Sequence, residues 1–73
     1  MRDTLSQFVK EKRKEAGITQ EELSYAAGVG LRFVRDLEQG KATLRMDKVN
    51  QVLSLFGYEM GPIMKPRDEE SEG

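Results

Sequence analysis

Arg32 and Arg35 stand three residues apart in the stretch Leu31-Arg32-Phe33-Val34-Arg35-Asp36-Leu37-Glu38, where the apolar residues Val34 and Leu37 recur at helical spacing. With Val34 and Leu37 turned inward, Leu31, Arg32, Arg35 and Asp36 project outward near the helix start. Guanidinium groups placed this way can bind guanine edges bidentately or hold phosphates, and an outward Leu31 suits a thymine methyl. The same four residues also fit a solvated helix face on which a neighbour covers part of Leu31. Spacing alone does not separate these readings. Thr19 and Gln20 open the preceding helix, where free amides and the positive end of the helix dipole attract an anion, and Gln20 adds a side-chain donor. Lys41, just past the arginine-bearing helix, can reach a phosphate on the other side of a groove. The ordinary alternatives are an N-cap for Thr19 and a mobile surface lysine for Lys41. Catalytic chemistry finds little here. The chain has no cysteine and no histidine, so the commonest metal ligand and general base is absent. No enzyme activity, metal or cofactor is expected.

The elements that must position these groups are helices. Over residues 4–16, Leu5, Phe8, Val9 and Ala16 fall on one helical face, with Asp3 or Thr4 as N-cap and Gly17 as C-cap. Thr19 and Glu22 have the spacing of a capping box, which starts a second helix sharply, and Gly28 stops it after about Ala27. Gly28-Val29-Gly30 then leads into the third helix, which ends before Gly40. Two short helices thus flank a tight glycine-containing turn, the geometry of a helix-turn-helix. Tyr25, Phe33 and the methionines are expected to pack.

A fourth helix over residues 46–56 carries two apolar stripes, Met46, Val49, Leu53 and Phe56 on one, and Val52 and Leu55 with Phe56 beside it. The first stripe can face the core, leaving Val52 and Leu55 for another surface. After Gly57, residues 58–64 read as a strand that Pro62 confines to an edge. With no other strand candidate in the chain, its simplest partner is the same segment of a second copy. Dimerisation is therefore expected through Val52, Leu55, Tyr58, Met60 and Ile63.

Seventy-three residues allow one core, so the organisation expected is a domain over 1–57, a dimerisation strand over 58–64 and a disordered acidic tail over 65–73. The absence of cysteine excludes a disulfide scaffold and a cysteine-bearing zinc finger. No signal-peptide core or membrane-length apolar run is present, and a cytoplasmic chain is expected. The formal net charge of −1 argues against a whole-protein basic field. It conceals a local imbalance. The tail holds two basic and four acidic residues, leaving ten basic and nine acidic in residues 1–64.

The stretch Val9-Lys10-Glu11-Lys12-Arg13-Lys14-Glu15-Ala16-Gly17-Ile18-Thr19-Gln20-Glu21-Glu22-Leu23, with Ala26-Ala27-Gly28-Val29 and Val34-Arg35-Asp36-Leu37-Glu38-Gln39-Gly40-Lys41, resembles the Cro/C1-type helix-turn-helix of phage repressors. Ser24 and Tyr25 depart from the family pattern, in which alanine follows the leucine, as though that alanine had shifted to Ala26. The resemblance covers roughly residues 5 to 57. It implies an all-α, compact domain of four to five helices, lambda repressor-like, to which the dimer-pairing strand is added. The segment from Leu31 through Val49 and the strand-like end are similar to the HipB antitoxins.

By that resemblance the chain is a sequence-specific DNA-binding repressor that binds a palindromic operator in double-stranded DNA as a homodimer. It also implies a HipA-like kinase toxin as protein partner and repression of its own operon, with no membrane involved. A stand-alone phage-type repressor and a helix-turn-helix interaction module that no longer binds DNA are the alternatives. Gln20 is similar to a phosphate-contacting glutamine of the family. Leu31, Arg32 and Arg35 take outward base-reading positions, and Asp36, also outward, is unfavourable beside phosphates. Gly30 takes a position where many members have a polar cap that touches DNA, and gives up a few tenths of a kcal/mol of capping. Asp36 is expected to orient Arg32 as an i, i+4 pair. The family pairs the positions of Arg13 and Glu38 with each other, which implies a structural ion pair.

Overall fold

Threonine stands one residue before each of the first two helices, and each threonine closes a reciprocal cap. The computed structural model describes residues 4–64 and contains four helices: α1 (Leu5–Ala16), α2 (Gln20–Ala27), α3 (Leu31–Glu38) and α4 (Met46–Ser54). The Thr4 hydroxyl accepts the Gln7 amide at 3.1 Å, and the Thr4 amide donates to the Gln7 side chain at 3.4 Å. At α2 the equivalent bonds between Thr19 and Glu22 are 3.0 and 2.8 Å. Each box satisfies two amides that a helix start leaves without partners. Thr4, not Asp3, is therefore the first cap; Asp3 lies outside the described residues.

The helices enclose one core of Val9, Leu23, Val34, Leu37, Val49, Val52 and Leu53, with Leu5, Phe8, Ile18, Phe33, Leu44 and Phe56 packed around it. α3 packs against both α1 and α2, and α4 reaches α2. The turn between α2 and α3 is held from both sides. Gly28 takes φ 75°, a left-handed conformation that costs glycine little, and the Gly28 and Val29 amides both bond back to the Ser24 carbonyl at 3.0 Å. From α4, the Gln51 amide group donates to the Ala27 and Gly28 carbonyls at 3.1 and 3.3 Å. These are carbonyls that the end of α2 leaves free. Replacing Gln51 by alanine is expected to cost about 1 kcal/mol, measurable as a lower urea midpoint at unchanged slope.

The two stripes of α4 divide differently from expectation. Val52 is fully buried in the single chain and Met46 is 62% exposed, the reverse of their expected places. The core stripe runs Val49, Val52, Leu53 and on to Phe56 just past the helix, at i, i+3, i+4 and i+7, and Met46 falls at its edge in the first turn. Val52 is thus unavailable to a second copy, whereas Leu55 is 43% exposed. Ser24, at 7% exposure, takes the packed small-residue position with its hydroxyl donating to the Glu21 carbonyl at 2.8 Å, and Ala26 is exposed. No alanine has shifted. Tyr25 does not pack; it is 91% exposed.

Residues 58–64 are not a strand, because no second strand among the described residues is there to pair with them. The segment is pinned as an arm instead. The Met60 amide donates to Asn50 at 2.7 Å, and the Tyr58 ring meets Phe8 edge-on at a centroid distance of 4.8 Å, with the Lys12 ammonium over both rings. Tyr58, Met60 and Ile63 line an apolar depression with Leu5, Phe8 and Leu53. The expected acidic tail over 65–73 lies outside the described residues.

Candidate nucleic-acid interface

At roughly 100° per residue, Leu31, Arg35, Arg32 and Asp36 follow one another around about 140° of the α3 circumference, and Phe33, Leu37, Val34 and Glu38 fill the remainder. Burial follows this division. Val34, Leu37 and Glu38 are buried, Arg32 and Arg35 are exposed, and Leu31 and Asp36 are half-buried at the two borders. Among the described residues, neither arginine forms an ion pair or a side-chain hydrogen bond. Two cations without such partners therefore stand on the face of a rigid helix.

A buried polar cluster ties that helix to α1 and α2. Arg13 of α1 grips Glu38 of α3 with both ends of its guanidinium, Nε to Oε2 at 2.7 Å and Nη2 to Oε1 at 3.0 Å, while Nη1 donates to the Ile18 carbonyl at 2.9 Å. Gln20 of α2 donates its side-chain amide to Glu38 Oε1 at 3.0 Å. Three helices thus meet on one carboxylate whose side chain is only 2% exposed. Burial pushes the Glu38 carboxyl up, but the hydrogen bonds from Arg13 and Gln20 together with the charge of Arg13 outweigh it and hold Glu38 below its ordinary value. The bond to Glu38 in turn raises the Arg13 guanidinium against the opposing effect of its own burial.

Gln20 joins the Arg13–Glu38 pair from α2. Eighteen residues separate Gln20 from Glu38, and no local pattern marks such a contact. Gln20 keeps one amide hydrogen and its carbonyl oxygen for an outside ligand. Gln51, which holds the turn, lies more than twenty residues from the carbonyls it caps, so no local pattern marks it either.

Thr19 performs its capping role. Gly30 stands at the N-cap of α3 with no side-chain bond, as its missing side chain requires. Asp36 does not orient Arg32. Its Oδ2 lies 3.6 Å from the Lys41 ammonium, and its carbonyl accepts the Lys41 amide at 3.0 Å. Gly40, at φ 82°, turns the chain back so that Lys41 returns beside the last turn of α3. Lys41 is thus a paired cation at the border of the arginine face.

Residues 9–63 match the family described as Helix-turn-helix, a span that runs from α1 to the arm and contains α2, the glycine turn and α3. The chain belongs to the helix-turn-helix family. Over 45 residues it is also 56% identical to the uncharacterized HTH-type transcriptional regulator y4mF of Sinorhizobium fredii (strain NBRC 101917 / NGR234), an overlap covering 62% of this chain and 59% of that relative. In this helix-turn-helix α3 stands second in the motif, and its outward face carries Arg32 and Arg35. Among the described residues there is no cluster of metal-ligating side chains, and no helix is long and apolar enough to cross a membrane.

Proposed function

We propose that this chain is a transcriptional repressor that binds a palindromic operator in double-stranded DNA as a homodimer, with α3 in the major groove. The observation that carries this reading is the pair of arginines, unpartnered among the described residues, on a helix whose orientation is locked by Arg13, Glu38 and Gln20. A major groove admits an α-helix, and a helix already held in place need not be ordered on binding. Leu31, Arg32, Arg35 and Asp36 are the base-facing residues. Gln20, the first amides of α2 and Lys41 are the phosphate anchors, and Gly30 lets the backbone come close to the DNA. The regulator y4mF supports the same class of activity by its name.

Dimerisation is supported by apolar surface that one chain leaves uncovered: Leu55, Tyr58, Met60, Ile63 and Met64 are all at least 40% exposed. A two-fold pair of such chains would set its recognition helices about 34 Å apart, one DNA turn. The antitoxin form of the proposal, with a HipA-like kinase as partner, rests on the resemblance to the HipB antitoxins. A kinase gene directly adjoining this one would support that form, and an isolated gene would remove it.

The test is equilibrium binding of random and selected duplexes across a salt series, with sedimentation of the free chain and of the complex. A dimer should bind a selected palindrome with log affinity falling about 0.9 per phosphate contact for each decade of salt. Absence of binding to every duplex at low salt, by a chain that remains folded, would eliminate the repressor and leave a protein-interaction module.

A further inference from the structure

Asp36 is the one acidic group on the outward face of α3. Beside phosphates a carboxylate is unfavourable, yet Asp36 is held there by a defined local geometry. Its Oδ2 sits 3.6 Å from Lys41 Nζ, and among the described residues no hydrogen bond occupies Oδ1. Lys41 offsets the negative charge toward a polyanion, and Oδ1 keeps its lone pairs for a donor. The side chain is 29% exposed, so its freedom is limited without its being sealed off.

An ionised carboxylate only accepts hydrogen bonds. In the major groove the donors are the amino groups of cytosine and adenine; guanine presents two acceptors and thymine an acceptor and a methyl. In a duplex the adenine amino group is flanked by acceptors on both sides, its own N7 and the thymine O4, which repel a carboxylate, whereas cytosine N4 has an acceptor, the paired guanine's O6, on one side only. Asp36 also lies one helical turn beyond Arg32, about 6 Å along the helix axis. At about 3.4 Å per base step, this separation is one to two base pairs. Resting on the DNA-binding reading above, we infer that Asp36 is a specificity-determining residue that accepts from cytosine N4, one to two base pairs from the guanine bound by Arg32 in each half-site. Lys41 balances the charge of this carboxylate against the backbone without setting its base contact.

Selection from a randomised duplex pool with the wild-type chain and the D36N, D36A and K41A variants tests this, with thermal melts to verify folding. The wild type should enrich cytosine at one symmetry-related position. D36A should lose that preference by about fivefold or more while keeping the others, and D36N should move it to adenine, which an amide pairs bidentately. K41A should weaken binding to all selected sequences alike and retain cytosine. A D36A variant that selects the same sequences as wild type overturns the assignment. So does a K41A variant that loses the cytosine preference, which would show Asp36 acting only through its ion pair. Failure of the wild type to bind any duplex would instead overturn the DNA-binding reading itself.

Discussion

Replacing Arg13 by alanine is expected to destabilise the domain by about 3 to 5 kcal/mol at neutral pH, the cost of leaving a buried carboxylate without its counter-ion. Native domains hold roughly 0.05 to 0.15 kcal/mol per residue, so for a chain of 73 residues this is a large part of the whole. The magnitude follows from the accessibility of the two partners. Glu38 keeps 2% of its side chain exposed and Arg13 14%, so in the folded chain the carboxylate depends on this pairing rather than on bulk water. Gln20 alone would remain, a neutral donor to one oxygen.

The pH dependence has a definite sign. In the wild type Glu38 is held below its ordinary value, so the stability it contributes is fully present above the unfolded carboxyl value of about 4.3 and is lost as the pH falls through the lower folded value. In R13A burial dominates and Glu38 moves above the unfolded value. The variant then regains stability as the pH falls through that raised value. The gap between the two proteins is therefore widest near neutrality and narrows on acidification. Urea unfolding at about pH 7 and about pH 3.5 checks it, and a constant gap would contradict the assignment. Replacing both partners at once, as R13M/E38L, should recover most of the stability, because an apolar pair leaves no stranded charge. The link to Gln20 would still be lost.

Helix starts and stops were legible because their chemistry is local: a threonine bonds an amide three residues ahead, and glycine adopts φ 71° at Gly17 and 75° at Gly28. The outward face of α3 was legible because its period is unambiguous over eight residues. In α4 two overlapping stripes share Phe56, and the sequence does not show that the core takes Val52 from the second together with Val49 and Leu53 from the first; packing against the other helices decides it. The arm over 58–64 alternates as a strand does, but alternation describes a face and does not supply a partner for the backbone. The partners of Asp36 and Gln20 depended on where Gly40 returns the chain and on how α2 crosses α3, which are properties of the assembled fold.

Arg32 carries the largest expected effect on binding. On the DNA-binding reading, a bidentate contact to guanine is worth about 1 to 3 kcal/mol of discrimination, and a two-fold dimer makes it twice, so R32A should weaken binding to the selected operator by about 2 to 6 kcal/mol. Stability should hardly change, since Arg32 is exposed and has no partner among the described residues. The same variant distinguishes the two uses of a guanidinium. Loss of a base contact relaxes selection at one symmetric position and leaves the fall of affinity with salt nearly as it was. Loss of a phosphate contact weakens all sequences alike and reduces the salt slope by about one per half-site. R32K sharpens the distinction, because lysine retains the charge but not the planar fork that matches guanine. A lysine variant that binds and selects like the wild type would place Arg32 on the backbone, and base reading on this helix would then fall to Leu31, Arg35 and Asp36.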